Sequence, residues 1–553
     1  MTQDPNQSGD SSEGVDGVPA PEGPANLIDT DYKIGQDNFS GKVTLNLDLH
    51  GKVFGISSAI IVFFVFITLA LQNQVAPIYN AIFNYLTQNL TWVFLLSGNI
   101  FLVLSVVLIF TPLAKVRLGG AKARPDFSYM GWFAMLFAAG MGIGLMFYGV
   151  SEPVTHYGTA MGGTTVEDGV RTDWAPLGAA EGDQQAAQRL SMSATIFHWG
   201  LHPWAIYSVV ALALALFSFN KGLPLTIRSI FYPLLGERVW GWPGHIIDIL
   251  AVFATLFGLA TSLGLGATQA SAGLEHLFGL PDADATRIIL IMGITAVALC
   301  SILLGVDKGV RRLSEVNLIL AGILLLFVIL VGPTLAIATG FFQNLGSYLV
   351  NLPALSNPFG REDANFSQGW TAFYWSWWIA WSPFVGMFIA RVSRGRTVRE
   401  FLIAVLLIPS TVSVLWMTAL GGTALDQYLN HGVEAIANAG LDLQMFVMLE
   451  QLPLAEITSF VAITLVIVFF VTSSDSGSLV LDTITAGGKV DAPKPQRIFW
   501  AVIEGAIAIA LLLGGGLEAL QAMAVSMGLP FALVLLVGCF AIVKGLMSEP
   551  RAQ

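Results

Sequence analysis

Charge is what this chain has least of: Asp, Glu, Lys and Arg make up 11% of its 553 residues, where a soluble protein carries about 25%. Hydrophobic residues reach 55% and the mean hydropathy is +0.70. That balance excludes a soluble globular chain and indicates an all-α, polytopic membrane protein. Cysteine is scarce too. Cys300 and Cys539 lie in separate apolar runs, which excludes a disulfide framework and a thiolate metal site. A basic-then-apolar leader is missing, so no cleavable signal peptide is expected. Residues 1–40 hold eight acidic residues and one lysine, and their Asp, Gly, Ser and Pro content predicts a disordered acidic tail over residues 1–50. No nucleic-acid partner is expected.

Long apolar runs are what the chain has in quantity. A search for about 20 apolar residues per span predicts twelve transmembrane helices. They fall near 54–72, 92–111, 129–149, 192–217, 245–274, 286–304, 317–339, 370–390, 401–420, 457–480, 498–515 and 523–544. Lysine and arginine gather after every second one: Lys115, Arg117, Lys122 and Arg124, then Lys221, Arg228 and Arg238, and so on to Lys489, Lys494 and Arg497. The excess of positive loops on one side predicts that both termini are cytoplasmic. Residues 151–190 read as an acidic, glycine-rich outer loop or lid, and Asp307–Val316 as a short charged helix on the inner face.

The third span carries glycines at 140, 142 and 144 within Phe137-Ala-Ala-Gly-Met-Gly-Ile-Gly-Leu-Met146. Each glycine costs a helix interior about 1 kcal/mol against alanine. Alternating glycines at mid-membrane predict a helix that unwinds, and freed backbone groups are tolerated in lipid only beside protein or a polar cavity. Broken spans of this kind hold substrate and coupling ion in secondary carriers. Close packing of small residues against a neighbouring helix is the other reading of the same glycines.

Aromatic residues are dense where a membrane belt would need only one or two. The eighth span reads Trp370-Thr-Ala-Phe-Tyr-Trp-Ser-Trp-Trp-Ile-Ala-Trp381-Ser-Pro-Phe384. At 100° per residue, Tyr374, Trp377, Trp378 and Trp381 share one face. In the fourth span Trp199, Trp204 and Tyr207 fall within an arc of roughly 140°. Aromatic faces converging on a cavity suit a quaternary ammonium, which has no hydrogen-bond donors and is attracted at about 0.5–2 kcal/mol per ring. Carboxylates in the spans are few, chiefly Asp248 and Asp475, with Glu152 at the end of the third span. That scarcity fits a zwitterion whose carboxylate end sits on backbone amides freed near Gly140–Gly144. His198 and His202 read as hydrogen-bonded structural histidines rather than proton relays. Thr472-Ser473 sets adjacent hydroxyls in an apolar helix, where they either offer oxygens to a hard cation or bond back to their own helix carbonyls.

These stretches together resemble the betaine/choline/carnitine transporter family, and most of all its sodium-coupled glycine betaine carriers. The matching pieces are Gly140-Met-Gly-Ile-Gly-Leu-Met-Phe-Tyr-Gly149 with Glu152-Pro153, Phe197-His-Trp199 with His202-Pro-Trp-Ala-Ile-Tyr207, Phe373–Phe384, Arg391-Val-Ser-Arg-Gly-Arg396 and Thr472-Ser-Ser-Asp-Ser476. The resemblance implies an inverted-repeat (LeuT-like) core of 5+5 helices, the first repeat over 129–339 and the second over 370–544. Two extra helices (54–111) precede it, within a transporter domain of 51–545. It also implies a homotrimer in the cell inner membrane. For the substrate it implies a box of Trp199, Trp204, Tyr207 and Trp378, with Gly140, Met141, Gly142, Gly144 and Ser262 beside it and an access path along Phe373, Trp377 and Trp381. For sodium, as coupling ion, it implies ligands at Thr472 and Ser473 with the carbonyls of Ala138, Met141 and Phe469.

The sequence departs from the family at two places. A second sodium site would use Thr255 and Ser262 near Phe384 and Tyr207, yet the position between the two hydroxyls is Leu259, which offers no oxygen. The C-terminus after the last span is short, residues 546–553, without the long basic tail of osmosensing relatives, so osmotic regulation through that element is not expected. The expected function is sodium-coupled uptake of glycine betaine or a related compatible solute, with proton-coupled choline, ectoine or proline uptake as the alternative. No nucleophile, base and metal constellation suggests an enzyme.

Overall fold

The computed structural model describes residues 18–41, 47–140, 142–164, 166–167, 170–171, 176–304, 307–361, 363–490 and 492–551. Among these the chain is nearly all helical. The long helices are α1 (Gly51–Ala70), α2 (Gln72–Phe110), α3 (Tyr129–Gly140), α4 (Ile143–Met161), α5 (Gln184–Trp199), α6 (Leu201–Ala215) and α7 (Trp242–Phe278). They continue as α8 (Asp284–Leu304), α9 (Asp307–Val331), α10 (Thr334–Leu355), α11 (Ala372–Val392), α12 (Val398–His431), α13 (Ala455–Thr485) and α14 (Lys494–Met547). Short helical turns, Gln444–Glu450 among them, and two short antiparallel hairpins, Asn38–Gly41 with Leu47–His50 and Val166–Glu167 with Val170–Arg171, lie between them.

Local chemistry sets the ends of these helices. Thr397 caps α12 by accepting from the Glu400 amide while Glu400 reaches back to the cap, which satisfies two otherwise orphaned donors. Gly279 and Gly432 close α7 and α12 in the left-handed conformation. Gly332-Pro333 separates α9 from α10, dividing the run expected as one span over 317–339.

By length and hydropathy nine described helices can cross a membrane, or ten if α3 and α4 form one bent span. Two features account for the difference from the expected twelve. The tryptophan-rich α11 is not among them, because indole scores as weakly polar on a hydropathy scale. And α14 runs 54 residues, about 80 Å at 1.5 Å per residue, too long for one crossing. It breaks at Gly515 and Gly516, where the backbone is non-helical, so the two runs expected at 498–515 and 523–544 are joined by a kink rather than a loop. Other boundaries move as well. α2 extends back over the expected 73–91 connection, α4 and α5 extend into the expected outer loop and leave only 162–183 between them, and Asp307–Val316 continues directly into α9.

The expected disordered tail is also partly ordered. Among the described residues, 18–41 lie against the segments near 119–122 and 221–240. Tyr32 is buried, stacked on Trp240 at 4.2 Å, and accepts from the Arg228 guanidinium at 2.8 Å. Residues 1–17 and 42–46 fall outside the described set. Arg228 itself pairs with Asp248 at 3.2 Å with both side chains fully buried, and Arg497 pairs with Asp475 at 3.0 Å. Two of the few carboxylates in the spans are thereby neutralised by fixed partners.

Candidate functional site

The glycine-rich run breaks as its composition predicts. α3 ends at Gly140, α4 starts at Ile143, and the two are bent by 64°. Gly142, at φ −164°, leads into α4 in extended conformation. Met141, expected to offer a carbonyl, lies outside the described residues. The start of α4 faces a small cavity of about 60 Å³, lined by Gly142, Gly144, Trp199, Tyr207, Ser262, Trp377, Trp378, Trp381 and Ser473 among others. Gly144 is there because nothing larger fits: a Cβ at this position would lie 2.5 Å from the Trp199 ring and 2.8 Å from that of Trp377.

The aromatic rings meet edge to face. Trp378 lies 5.2 Å from Trp199 and 5.3 Å from Tyr207, and Tyr207 lies 5.4 Å from Trp204. Offset and T-shaped contacts of this kind place positive ring edges on negative faces. Most indole N–H groups of this set are engaged by the protein: Trp378 donates to the His198 carbonyl at 3.1 Å, Trp381 to that of Gly258 at 2.8 Å, and Trp377 to the hydroxyl of Ser262, itself on the lining, at 3.2 Å. With these N–H groups engaged, the rings offer the cavity mainly carbon, which suits a cation lacking N–H donors. Trp204 packs behind Tyr207 rather than on the lining, and its own indole N–H is unpaired.

Behind Trp199 sits a buried acid. Glu152 Oε1 lies 2.5 Å from His198 Nδ1 and 3.2 Å from His156 Nε2, while Oε2 accepts from Trp199 Nε1 at 2.8 Å and from the Tyr374 hydroxyl at 2.6 Å. All five side chains are buried, and His198 Nε2 continues to the Thr371 hydroxyl at 2.9 Å. Glu152, His156 and His198 are close enough together to bracket a metal ion. The carboxylate's oxygens are already committed to N–H and O–H donors, however, so the geometry is that of a hydrogen-bonded network. His202 pairs with Asn99 at 2.9 Å, away from the cavity.

A larger cavity of about 290 Å³ adjoins the first, sharing Ala139, Trp381 and Ser473 with it. Its lining includes Ala138, Phe469, Thr472 and Ser473, together with Phe384 and, toward the end of α11, Arg391. Four of the five residues expected around a cation therefore share one wall. The Thr472 hydroxyl donates to the carbonyls of Val468 and Phe469 at 3.0 Å each; this back-bonding uses its proton and leaves its lone pairs as acceptors.

The other expected positions divide. Gly140 ends α3. Trp377 and Trp381, expected along an access path, line the small cavity itself, and Phe373 stacks on Trp377 at 5.5 Å. Thr255 is fully buried, bonded back to Ala251 at 2.8 Å, and on neither lining. Leu259, the residue in place of a third hydroxyl, packs toward Gly477. Sequence reasoning undervalued Glu152, His156 and Tyr374 as a unit. The available signal was a carboxylate inside an apolar run with a histidine four residues on, hence on the same helical face.

Residues 52–551 match the model of the betaine/carnitine/choline family of transporters. A glycine betaine/proline/choline transporter from Vibrio parahaemolyticus is 65% identical over 98% of this chain and 98% of its own length. Glycine betaine transporter 1 from the same organism is 52% identical over 94% of this chain and 97% of its own. The glycine betaine transporter of Bacillus subtilis is 43% identical, covering 84% and 88%.

Proposed function

This chain belongs to the betaine/carnitine/choline family of transporters, and from that premise we propose that it takes up glycine betaine, or a related quaternary ammonium or compatible solute, coupled to sodium. It is a carrier and not an enzyme, as its relatives are transporters. One observation carries the sodium reading: the aromatic cavity and the wall bearing Ala138, Phe469, Thr472 and Ser473 meet at Ala139, Trp381 and Ser473. An ion held at that wall sits against the break between α3 and α4, so its binding orders the same backbone that borders the box. The rings, now in mutual contact, part to take a trimethylammonium group between their faces, and the substrate carboxylate is received by amides at the start of α4.

In this reading the protein lies in the cell inner membrane as twelve spans, α14 contributing two and α11 one, with an inverted-repeat core, both termini cytoplasmic and a homotrimeric assembly. The larger cavity, near Arg391, is the path to the cytoplasm, and alternating access is a rocking of one helix bundle against the other. The relatives' names, which include proline and choline beside glycine betaine, support a box that reads an alkylated ammonium rather than one particular solute. Thr255 supplies no sodium ligand in this reading, since it is buried and bonded back to Ala251, and Leu259 offers no oxygen.

Proton-coupled uptake is the second reading, because the buried Glu152–His198–His156 group is a chemically plausible proton carrier one residue behind the box. Uptake of radiolabelled glycine betaine into proteoliposomes separates the two. An inward sodium gradient is compared with potassium and an imposed pH gradient. We expect uptake with sodium only, an apparent sodium affinity at least tenfold weaker in the Thr472→Ala/Ser473→Ala double variant, and a KM raised roughly thirtyfold in Trp378→Ala, equivalent to about 2 kcal/mol of lost ring–cation attraction. Uptake driven by protons alone overturns the sodium assignment.

A further inference from the structure

We propose that Glu152 is a positioning residue for substrate selection: its carboxylate clamps Trp199, and through Tyr374 the neighbouring face of α11, into the orientation that the box requires. The inference rests on the box reading given above and extends it to a residue that never touches the cavity. Glu152 belongs to α4, Trp199 to α5 and Tyr374 to α11, so one side chain ties together three helices that each contribute to the box. It accepts from Trp199 Nε1 at 2.8 Å and from the Tyr374 hydroxyl at 2.6 Å through one oxygen, and holds His198 and His156 through the other. All four partners are buried, so none can exchange this carboxylate for water. An indole free of the clamp can rotate about its side-chain torsions, and the Trp199–Trp378 contact at 5.2 Å and 82° is lost with it. His198 carries the same constraint onward: its backbone carbonyl receives the Trp378 indole and its ring stacks on Tyr374 at 4.5 Å.

Hydrogen bonding and charge can be separated at this position. In Glu152→Gln the amide oxygen still accepts from Trp199 and Tyr374, and the amide nitrogen donates to His198 and His156 as neutral imidazoles. The four contacts survive while the charge is gone. In Glu152→Ala all four are lost. Purified protein in proteoliposomes is assayed for the KM and Vmax of glycine betaine uptake, with substrate quenching of tryptophan fluorescence as an independent binding measure. Wild type and Trp378→Ala serve as references. We expect Glu152→Ala to raise KM at least tenfold with Vmax per inserted transporter within twofold, and Glu152→Gln to stay within threefold of wild-type KM. Tyr374→Phe, which removes one donor and no volume of consequence, is expected to raise KM threefold to tenfold, and it decides the matter if Glu152→Ala does not insert.

Wild-type KM in Glu152→Ala, or in Tyr374→Phe where the alanine variant fails, overturns the clamp. So does a fall in Vmax at unchanged KM, which would mark Glu152 as part of the transport step, and so does a tenfold KM rise in Glu152→Gln, which would mark its charge and not its hydrogen bonds as the active property. If Trp378→Ala loses binding while the Glu152 variants keep it, the box stands and only the clamp falls. If wild type binds neither glycine betaine nor choline, proline or ectoine, the box reading falls and this inference with it.

Discussion

Among the described residues, two of the glycine breaks in the apolar helices do opposite things. Between α3 and α4 the chain turns 64° and the backbone beyond the turn faces a cavity ringed by indoles. Within α14 the break at Gly515 and Gly516 packs on one side against α1 and α2: a Cβ on Gly514 would lie 2.9 Å from the Thr68 methyl and one on Gly515 3.6 Å from Ala76, while one on Gly516 would meet nothing within 4 Å. Both satisfy the rule that irregular backbone at membrane depth must be covered by protein or border a polar space. The first break borders a ring-lined cavity, and the second leans on the side chains of α1 and α2. A glycine break in a membrane helix is therefore only half of a site; what the neighbouring helices present to it is the other half.

The largest effect that would test this contrast is at Gly144. The added methyl of Gly144→Ala occupies the position between the Trp199 and Trp377 rings, so glycine betaine uptake should fall at least tenfold while the protein still inserts and elutes as wild type. Normal uptake would mean that the first break is a joint like the second. Gly516→Ala should do the reverse. Gly516 has φ +65° with open space around its Cα, so alanine meets backbone strain of about 1–3 kcal/mol and no clash. A lowered thermal midpoint in detergent with KM unchanged is expected, and a changed KM would connect the distant kink to the box. The smallest effect belongs to Gly142→Ala. Its backbone is extended, and a Cβ there meets nothing within 4 Å, so uptake within threefold of wild type is expected. A large loss would show that the amides at this position need closer approach than the present geometry requires.

Much of the site was legible in the chain. The glycine triplet at 140, 142 and 144 foretold the break, because glycine in a helix interior is unfavourable unless a break or a close contact uses it. Helical periodicity put Trp377, Trp378 and Trp381 together on the lining, but it did not place Tyr374, which bonds to Glu152, or Trp204, and the non-helical Gly200 separates Trp199 from Trp204 and Tyr207. The pair at Thr472-Ser473 did fall on one wall with Ala138 and Phe469. Helix ends were harder to read. Hydropathy marks where lipid requires apolar side chains, whereas α2, α4 and α5 run on past that zone for as long as their backbone hydrogen bonds have no reason to stop.

What the sequence determined by itself is the membrane class, since 55% hydrophobic and 11% charged residues leave no soluble alternative, and the identity of the rings and hydroxyls available to a site. What tertiary structure decided is which of them act together. Glu152 and Tyr374 are 222 residues apart, and no periodicity relates residues on different helices. Only the packing of α4, α5 and α11 brings the carboxylate to the indole of Trp199 and the hydroxyl of Tyr374. Local pattern is a property of one helix, and a binding site is a property of the space between several.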